Sequence, residues 1–216
     1  MRSWFLKGTS VKLRLVATMV LGVALLTGCS DSPKLAGSAV VVNGKVIPAS
    51  AVSDRVDKVR SQIQITDPSL INEVPSLIQL NQRAVDHFVL DALLDEVVTR
   101  EGIKVTERDV VAYRDEVFAQ YAKETIEAQL AAQNAVPADD VDGFMYEILV
   151  QRALMEKLAP GADKQTRTQA LFDYLTSLSH ELDVELNPRF GKWDPSNLIS
   201  TPGDQTLAVP LTVSKG

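Results

Sequence analysis

The sequence predicts a mainly α-helical fold with short strands at its two ends, and three observations carry that expectation. Apolar residues recur at helical spacing through most of residues 49 to 182. Ahead of them stands AVVVNGKVIP, residues 39 to 48, two β-branched runs about Asn43-Gly44. Behind them stands DVELNPRFGKWDP, residues 183 to 195, in which Val184 and Leu186 alternate with Asp183, Glu185 and Asn187.

Residues 1–28 carry Arg2, Lys7, Lys12 and Arg14 with no acid, then an apolar run from Leu15 to Leu26. A basic start before a short apolar core is the pattern of an export signal. The run is short for a stable membrane span, which needs about 20 residues. Small residues then lead into the single cysteine of the chain, and Leu26-Thr27-Gly28-Cys29 resembles the bacterial lipobox. That resemblance implies removal of the signal and both S-diacylglycerol and N-acyl modification of Cys29. A free thiol is the other reading of a lone cysteine, and its position directly behind the signal favours lipidation. Each buried methylene adds about 0.8 kcal/mol of membrane affinity, so two or three acyl chains hold firmly. The expected location is the cell membrane, lipid-anchored, on its extracytoplasmic face.

Loss of the signal takes four of the 22 basic residues and none of the 28 acids, leaving a formal charge of −10. Such a surface suits solubility and argues against nucleic acid or anionic lipid as a partner. The remaining chain of about 190 residues suffices for one domain with flexible ends.

Residues 29–38, ending in SDSPKLAGS, are small and turn-prone and read as a tether. Asn43-Gly44 supplies the positive φ angles of a tight hairpin. A helix then starts at Pro48 or Ala49, with Val52, Val56, Val59 and Ile63 on one face to about Gln64. Pro68 and Pro75 break the next stretch. The longest helix is expected from Ser76 to Glu101, and its wide apolar arc, including Val85, Phe88, Val89, Leu93 and Val97, makes it central. After Gly102, Thr106 with Glu107 and Asp109 caps a helix to about Ala122. Another runs from Lys123 to Asn134, and a third follows Pro137 with its stripe from Val141 to Leu158. The last spans about Asp163 to Leu182. Residues 195–216, rich in Pro, Gly and Ser without a sustained period, read as a disordered tail.

The order VVVNGKVIP, then RAVDHFVLDALLDEVVTREGIKVTERDV, then VPADDVDGFMYEILVQRALMEKL, then VELNPRFGKWD resembles the chaperone module of the SurA and PrsA foldases. It is similar also to the substrate-binding arms of trigger factor. The resemblance covers residues 39–194 and implies a SurA N-terminal-like helical module in which the last strand pairs with the first. Val40 and Val42 would then face Val184 and Leu186. Closing a loop of about 145 residues costs roughly 4 to 5 kcal/mol, which a few net hydrogen bonds only offset. Burial of Phe190 and Trp193, at about 1.5 to 3 kcal/mol each, is expected to clasp the closure.

The family inserts parvulin prolyl isomerase domains before the final helix. Here Leu158-Ala159-Pro160-Gly161-Ala162 passes straight into Asp163, so isomerase catalysis is not carried over. What the resemblance implies is a chaperone or holdase binding unfolded or exported polypeptides. The candidate client contacts are Tyr113, Phe118, Tyr121, Phe144, Met145 and Tyr146, for which plain core packing is the other reading. An adaptor or scaffold holding one envelope partner is the alternative function.

Little else in the sequence carries chemistry. His87 lies among Asp86, Phe88 and Asp91, a possible base with a carboxylate neighbour, and reads more simply as a partly exposed helix residue. His180 sits where a helix C-terminus favours positive charge. Asp139, Asp140 and Asp142 before Gly143 resemble a calcium loop only faintly, because Leu149 stands where the last ligand is needed. No nucleophile elbow or phosphate loop is present. The expectation is a non-enzymatic protein without catalytic residues, metal, cofactor or small-molecule substrate.

Overall fold

The computed structural model describes residue 35 and residues 37–202. The expected signal peptide, Cys29, most of the tether and the tail beyond residue 202 lie outside them. All the described residues belong to one compact unit, Ser32–Gly216. They form a mainly helical body with six α-helices and two small antiparallel sheets.

The first hairpin pairs β1 (Ser38–Val42) with β2 (Lys45–Pro48). Asn43 and Gly44 turn it with φ of 47° and 80°, the double positive φ of the tight turn their sequence calls for. All five residues of β1 are buried, so the strand begins inside the body, and Ser38 belongs to it rather than to the tether. The tether is fastened just upstream as well, since Asn187 Nδ2 donates to the carbonyls of Leu35 and Ser38 at 3.1 and 3.0 Å.

Six helices follow: α1 (Ala49–Ile65), α2 (Leu77–Glu101), α3 (Glu107–Gln120), α4 (Lys123–Asn134), α5 (Val141–Leu158) and α6 (Lys164–Glu181). Their ends follow local chemistry. Ser76 with Gln79, and Thr106 with Asp109, form reciprocal capping boxes at α2 and α3. Asp163 accepts from Thr166 N at the start of α6, and Gly102 closes α2 at a φ of 64°. The central position expected of α2 is observed. Its buried residues, among them Leu80, Val85, Val89, Leu93 and Val97, spread around a wide arc against α1, α4, α5 and β1.

The chain closes on itself through β3 (Val184–Leu186), which pairs antiparallel with β1 on the side away from β2. Val40 stands opposite Leu186 and Val42 opposite Val184, the expected partners. Main-chain bonds extend the ladder at both ends, Asn43 N to Asp183 O at 3.0 Å and Asn187 N to Ala39 O at 2.8 Å. Phe190 and Trp193 pack half-buried against the main core, and Trp193 Nε1 donates to Ser179 Oγ of α6 at 2.8 Å.

The fold runs past the expected stop at Asp194, which corrects the reading of a disordered segment from residue 195. β4 (Lys192–Asp194) turns back into β5 (Ile199–Thr201), with Trp193 opposite Ser200. The Asp194 carboxylate accepts from Ser196 N, Asn197 N and Asn197 Nδ2, which shapes the turn. Ser200 N then donates to Asp86 Oδ1 of α2 at 2.6 Å, and Gln82 Nε2 reaches Ser200 O at 3.4 Å. Two three-residue strands are too short for a visible period, and the acceptor that fixes them lies 114 residues away on α2.

Among the described residues no helix is long and apolar enough to cross a membrane.

Candidate functional site

A cleft of about 460 Å³ opens between α2, α5, α6 and the β4–β5 hairpin, with the end of α4 at its rim. Leu90 and Leu93 of α2, Leu171, Phe172 and Leu175 of α6, and Trp193 and Leu198 of the hairpin give it apolar walls. Arg83, Asp86, His87, Glu147 and Gln151 supply the polar lining. The cleft exists because the hairpin folds back: Asp86, which holds Ser200, is itself a lining residue. Burial raises the Asp86 carboxyl above the usual carboxylate range, and the hydrogen bond from Ser200 partly offsets that.

His87 and Glu147 meet within this lining. His87 Nε2 lies 3.4 Å from Glu147 Oε1 and 3.9 Å from Asp140 Oδ2. The side chains are 8 % and 5 % exposed, so desolvation governs both. Burial, with Arg55 adding to it, pushes His87 down to about 3. Burial, then the charges of Asp91 and Asp140, push Glu147 up to about 8. At neutral pH the two groups therefore face each other as a neutral imidazole and a largely protonated carboxyl. The expectation of a partly exposed His87 is corrected by its place on the buried stripe of α2 with Leu80, Ala84 and Leu94.

Arg55 is the nearby cation. It bonds Asp140 and the Ala135 carbonyl and lies over the Phe88 ring, 5.0 Å from its centroid. The three acids that faintly resemble a calcium loop each engage a base: Asp139 with Lys58 at 2.6 Å, Asp140 with Arg55, and Asp142 with Arg114 at 2.9 Å. Among the described residues no group of three His, Cys, Asp or Glu is placed to hold a metal ion. His180, in the last turn of α6, has Nε2 3.4 Å from Ser196 Oγ.

The six candidate client contacts separate. Phe144 lines the cleft. Met145 is 2 % exposed in a satellite cluster with Val110 and Val141, so it is packing and offers nothing to a partner, a correction to its candidacy. Tyr113, Phe118 and Tyr146 are half-buried against that cluster, and Tyr113 is covered further by Arg152, 4.3 Å from its ring centroid. Tyr121 is 59 % exposed at the end of α3.

Sequence reasoning missed Glu147, Phe172 and Leu198, and it named Asp86 only as a neighbour of His87 and Trp193 only as a clasp. Glu147 carried a legible signal: it sits three residues before Val150 and seven before Leu154, on the buried stripe of α5. An acid on such a stripe is the kind of buried polar residue that calls for a partner or a role.

The fold and the cleft define a helical module closed by strands from its two ends, with an apolar cleft lined also by buried titratable groups. Comparison of the chain with protein-family models, with curated proteins and with solved structures gives no match.

Proposed function

We propose that this chain is a lipid-anchored extracytoplasmic chaperone or holdase of the SurA N-terminal-like kind, binding unfolded or partly folded exported proteins without prolyl isomerase catalysis. The observation that carries the reading is the cleft: apolar walls open to solvent at the junction of three helices and the hairpin suit an apolar client side chain. Exposed apolar residues extend the capacity for shallow contacts, with Ile65 at 87 % at the end of α1, Val74 at 65 % in the connection that follows, and Leu77 at 51 % and Ile78 at 48 % at the start of α2. The passage from α5 to α6 supports the absence of isomerase activity. It takes only residues 159–163, leaving no room there for a catalytic domain of the kind the SurA and PrsA foldases carry.

The test is a client-aggregation assay with a soluble form beginning at Ser30, which keeps every described element. Several unrelated unfolded proteins are expected to stay soluble at stoichiometric amounts, while prolyl isomerisation of a standard peptide stays at background. Failure of protection sinks the reading, and catalysed isomerisation overturns its non-catalytic part. The polar floor of the cleft favours a second reading, an adaptor for one envelope partner, because fixed buried polar groups select more narrowly than apolar walls do. Protection of no client together with one stable partner in a pull-down decides for the adaptor.

Membrane attachment rests on the lipobox-like Leu26–Cys29. Labelling of the full chain with a radioactive fatty acid is expected to be lost in Cys29→Ser, which should also release the protein from the membrane fraction. Retained label in that variant excludes Cys29 as the acceptor.

A further inference from the structure

Glu147 is 4 % exposed, and its Oε2 has no hydrogen-bond partner among the described residues. Buried carboxyl oxygens in folded proteins are nearly always paired, so a lone one on a residue that lines a cleft marks a side chain that gains a partner by turning towards a donor there. The surrounding charges also lean one way. Asp86, His87, Glu147 and Arg83 line the cleft, and Asp91, Asp140 and Arg55 stand behind it. Arg55 is ion-paired with Asp140 and also bonds the Ala135 carbonyl, whereas Arg83 donates to the neutral Ala132 carbonyl and keeps its charge. Four carboxyls thus outnumber two guanidinium groups, beside an imidazole that is neutral at pH 7.

We infer that the floor of the cleft is a subsite for a cationic side chain, in which the Glu147 carboxylate turns into the cleft to receive the guanidinium of an arginine on a bound polypeptide while the leucines of α2 and α6 hold its apolar neighbour. The inference rests on the client-binding reading and names the class of segment the cleft prefers. Arginine suits the site better than lysine, because its planar fork can meet one carboxylate through two donors and is less strongly hydrated than an ammonium. A cleft of about 460 Å³ has room for such a side chain together with an apolar one.

Occupancy by a cation needs the ionised carboxylate, and Glu147 is held near 8. The groups that face it are His87 and Asp91 of α2, Arg55 of α1 and Asp140 just before α5. Of these, His87 stays neutral down to about 3 and Arg55 stays paired, so the proton that leaves on binding near neutral pH is that of Glu147. Arginine binding should therefore tighten from pH 6 to pH 8 and release a proton at pH 7.

After the signal, Trp193 is the one tryptophan of the chain, and it lines the cleft, so its fluorescence reports occupancy. Three otherwise identical apolar peptides, with arginine, citrulline or glutamate at the centre, are titrated into the form beginning at Ser30 at pH 8. The arginine peptide is expected to bind roughly ten-fold or more tightly than its neutral citrulline counterpart, as a charge-assisted pair requires. The glutamate peptide should bind weakest, and Glu147→Gln should abolish the preference. Equal binding of the arginine and citrulline peptides to the wild-type protein overturns the subsite without depending on any variant, as does a preference that survives Glu147→Gln. If that happens while client proteins are still protected from aggregation, the chaperone reading stands and only the cationic subsite falls. Loss of both peptide binding and protection removes the two together.

Discussion

A chain ended after Leu182 is expected not to fold. The cut removes Val184, Leu186, Phe190, Trp193 and Leu198 from the main core. With Leu186 buried at about 1.5 to 3 kcal/mol and the other four half-buried at about half that each, their burial totals roughly 5 to 9 kcal/mol, which is comparable with the whole stability of an ordinary domain. The cut also strips β1 of one neighbour and leaves its buried residues beside an unpaired edge, a template for aggregation. Ending the chain after Asp194 is a milder operation. It keeps β3 and Trp193 but removes Leu198 and the Ser200 N–H that Asp86 accepts, leaving a largely buried carboxyl without its donor. That loss should cost about 2 to 4 kcal/mol, one half-buried apolar side chain plus one hydrogen bond to a charged group. Circular dichroism and thermal melts of the two truncated chains read the difference. A cooperative melt from the chain ending at Leu182 removes the claim that the terminal strand closes the fold.

The contrast between the two cuts also marks where the sequence is legible. Helix existence and most helix ends were readable because each depends on residues within one turn: Thr106 with Asp109, Ser76 with Gln79, Asp163 with Thr166. The pairing of Val40 with Leu186 depends on residues far apart, and it was anticipated through resemblance rather than through local pattern. The β4–β5 hairpin had neither aid. Its strands are three residues long, and what orders them is a carboxylate on α2 that no local rule connects with Ser200. The candidate site was less legible still. Aromatic and methionine side chains on α3 and α5 looked available, yet Met145 is core and Tyr113 is covered by Arg152, because two helices packed face to face bury stripes that appear free in either one alone. The polar floor of the cleft was written on the buried stripes of α2 and α5 as His87 and Glu147. Its meaning needed α2 and α5 side by side, which brings the two groups to 3.4 Å.

That pair should give the fold a flat stretch of stability between two falling limbs. Unfolded, His87 titrates at its ordinary 6.5 and Glu147 at 4.5, whereas folded they lie at about 3 and about 8. Below pH 6.5 the unfolded chain holds a proton on His87 that the folded chain refuses, so stability from this group is lost as pH falls towards 3. Above pH 4.5 the unfolded chain releases a proton from Glu147 that the folded chain keeps, so stability is lost as pH rises towards 8. Between 4.5 and 6.5 each state carries one proton on the pair, and the slopes cancel. Between 6.5 and 8 only the Glu147 limb remains, and at about 1.4 kcal/mol per unit it removes roughly 2 kcal/mol. Burial raises Asp86 and Asp91 too, so their contributions act in the same direction. A comparison with Glu147→Gln therefore isolates the limb, since glutamine resembles the protonated acid in shape and does not titrate. Urea unfolding midpoints taken at steps from pH 4 to pH 9 should fall for the wild-type protein between 6.5 and 8 and stay level over that interval in Glu147→Gln. Parallel profiles for the two proteins would place the titrating group elsewhere. With the arginine peptide bound, the carboxylate is already ionised in the folded state, so the same limb should flatten in the wild-type protein, tying the stability of the fold to the occupancy of its cleft.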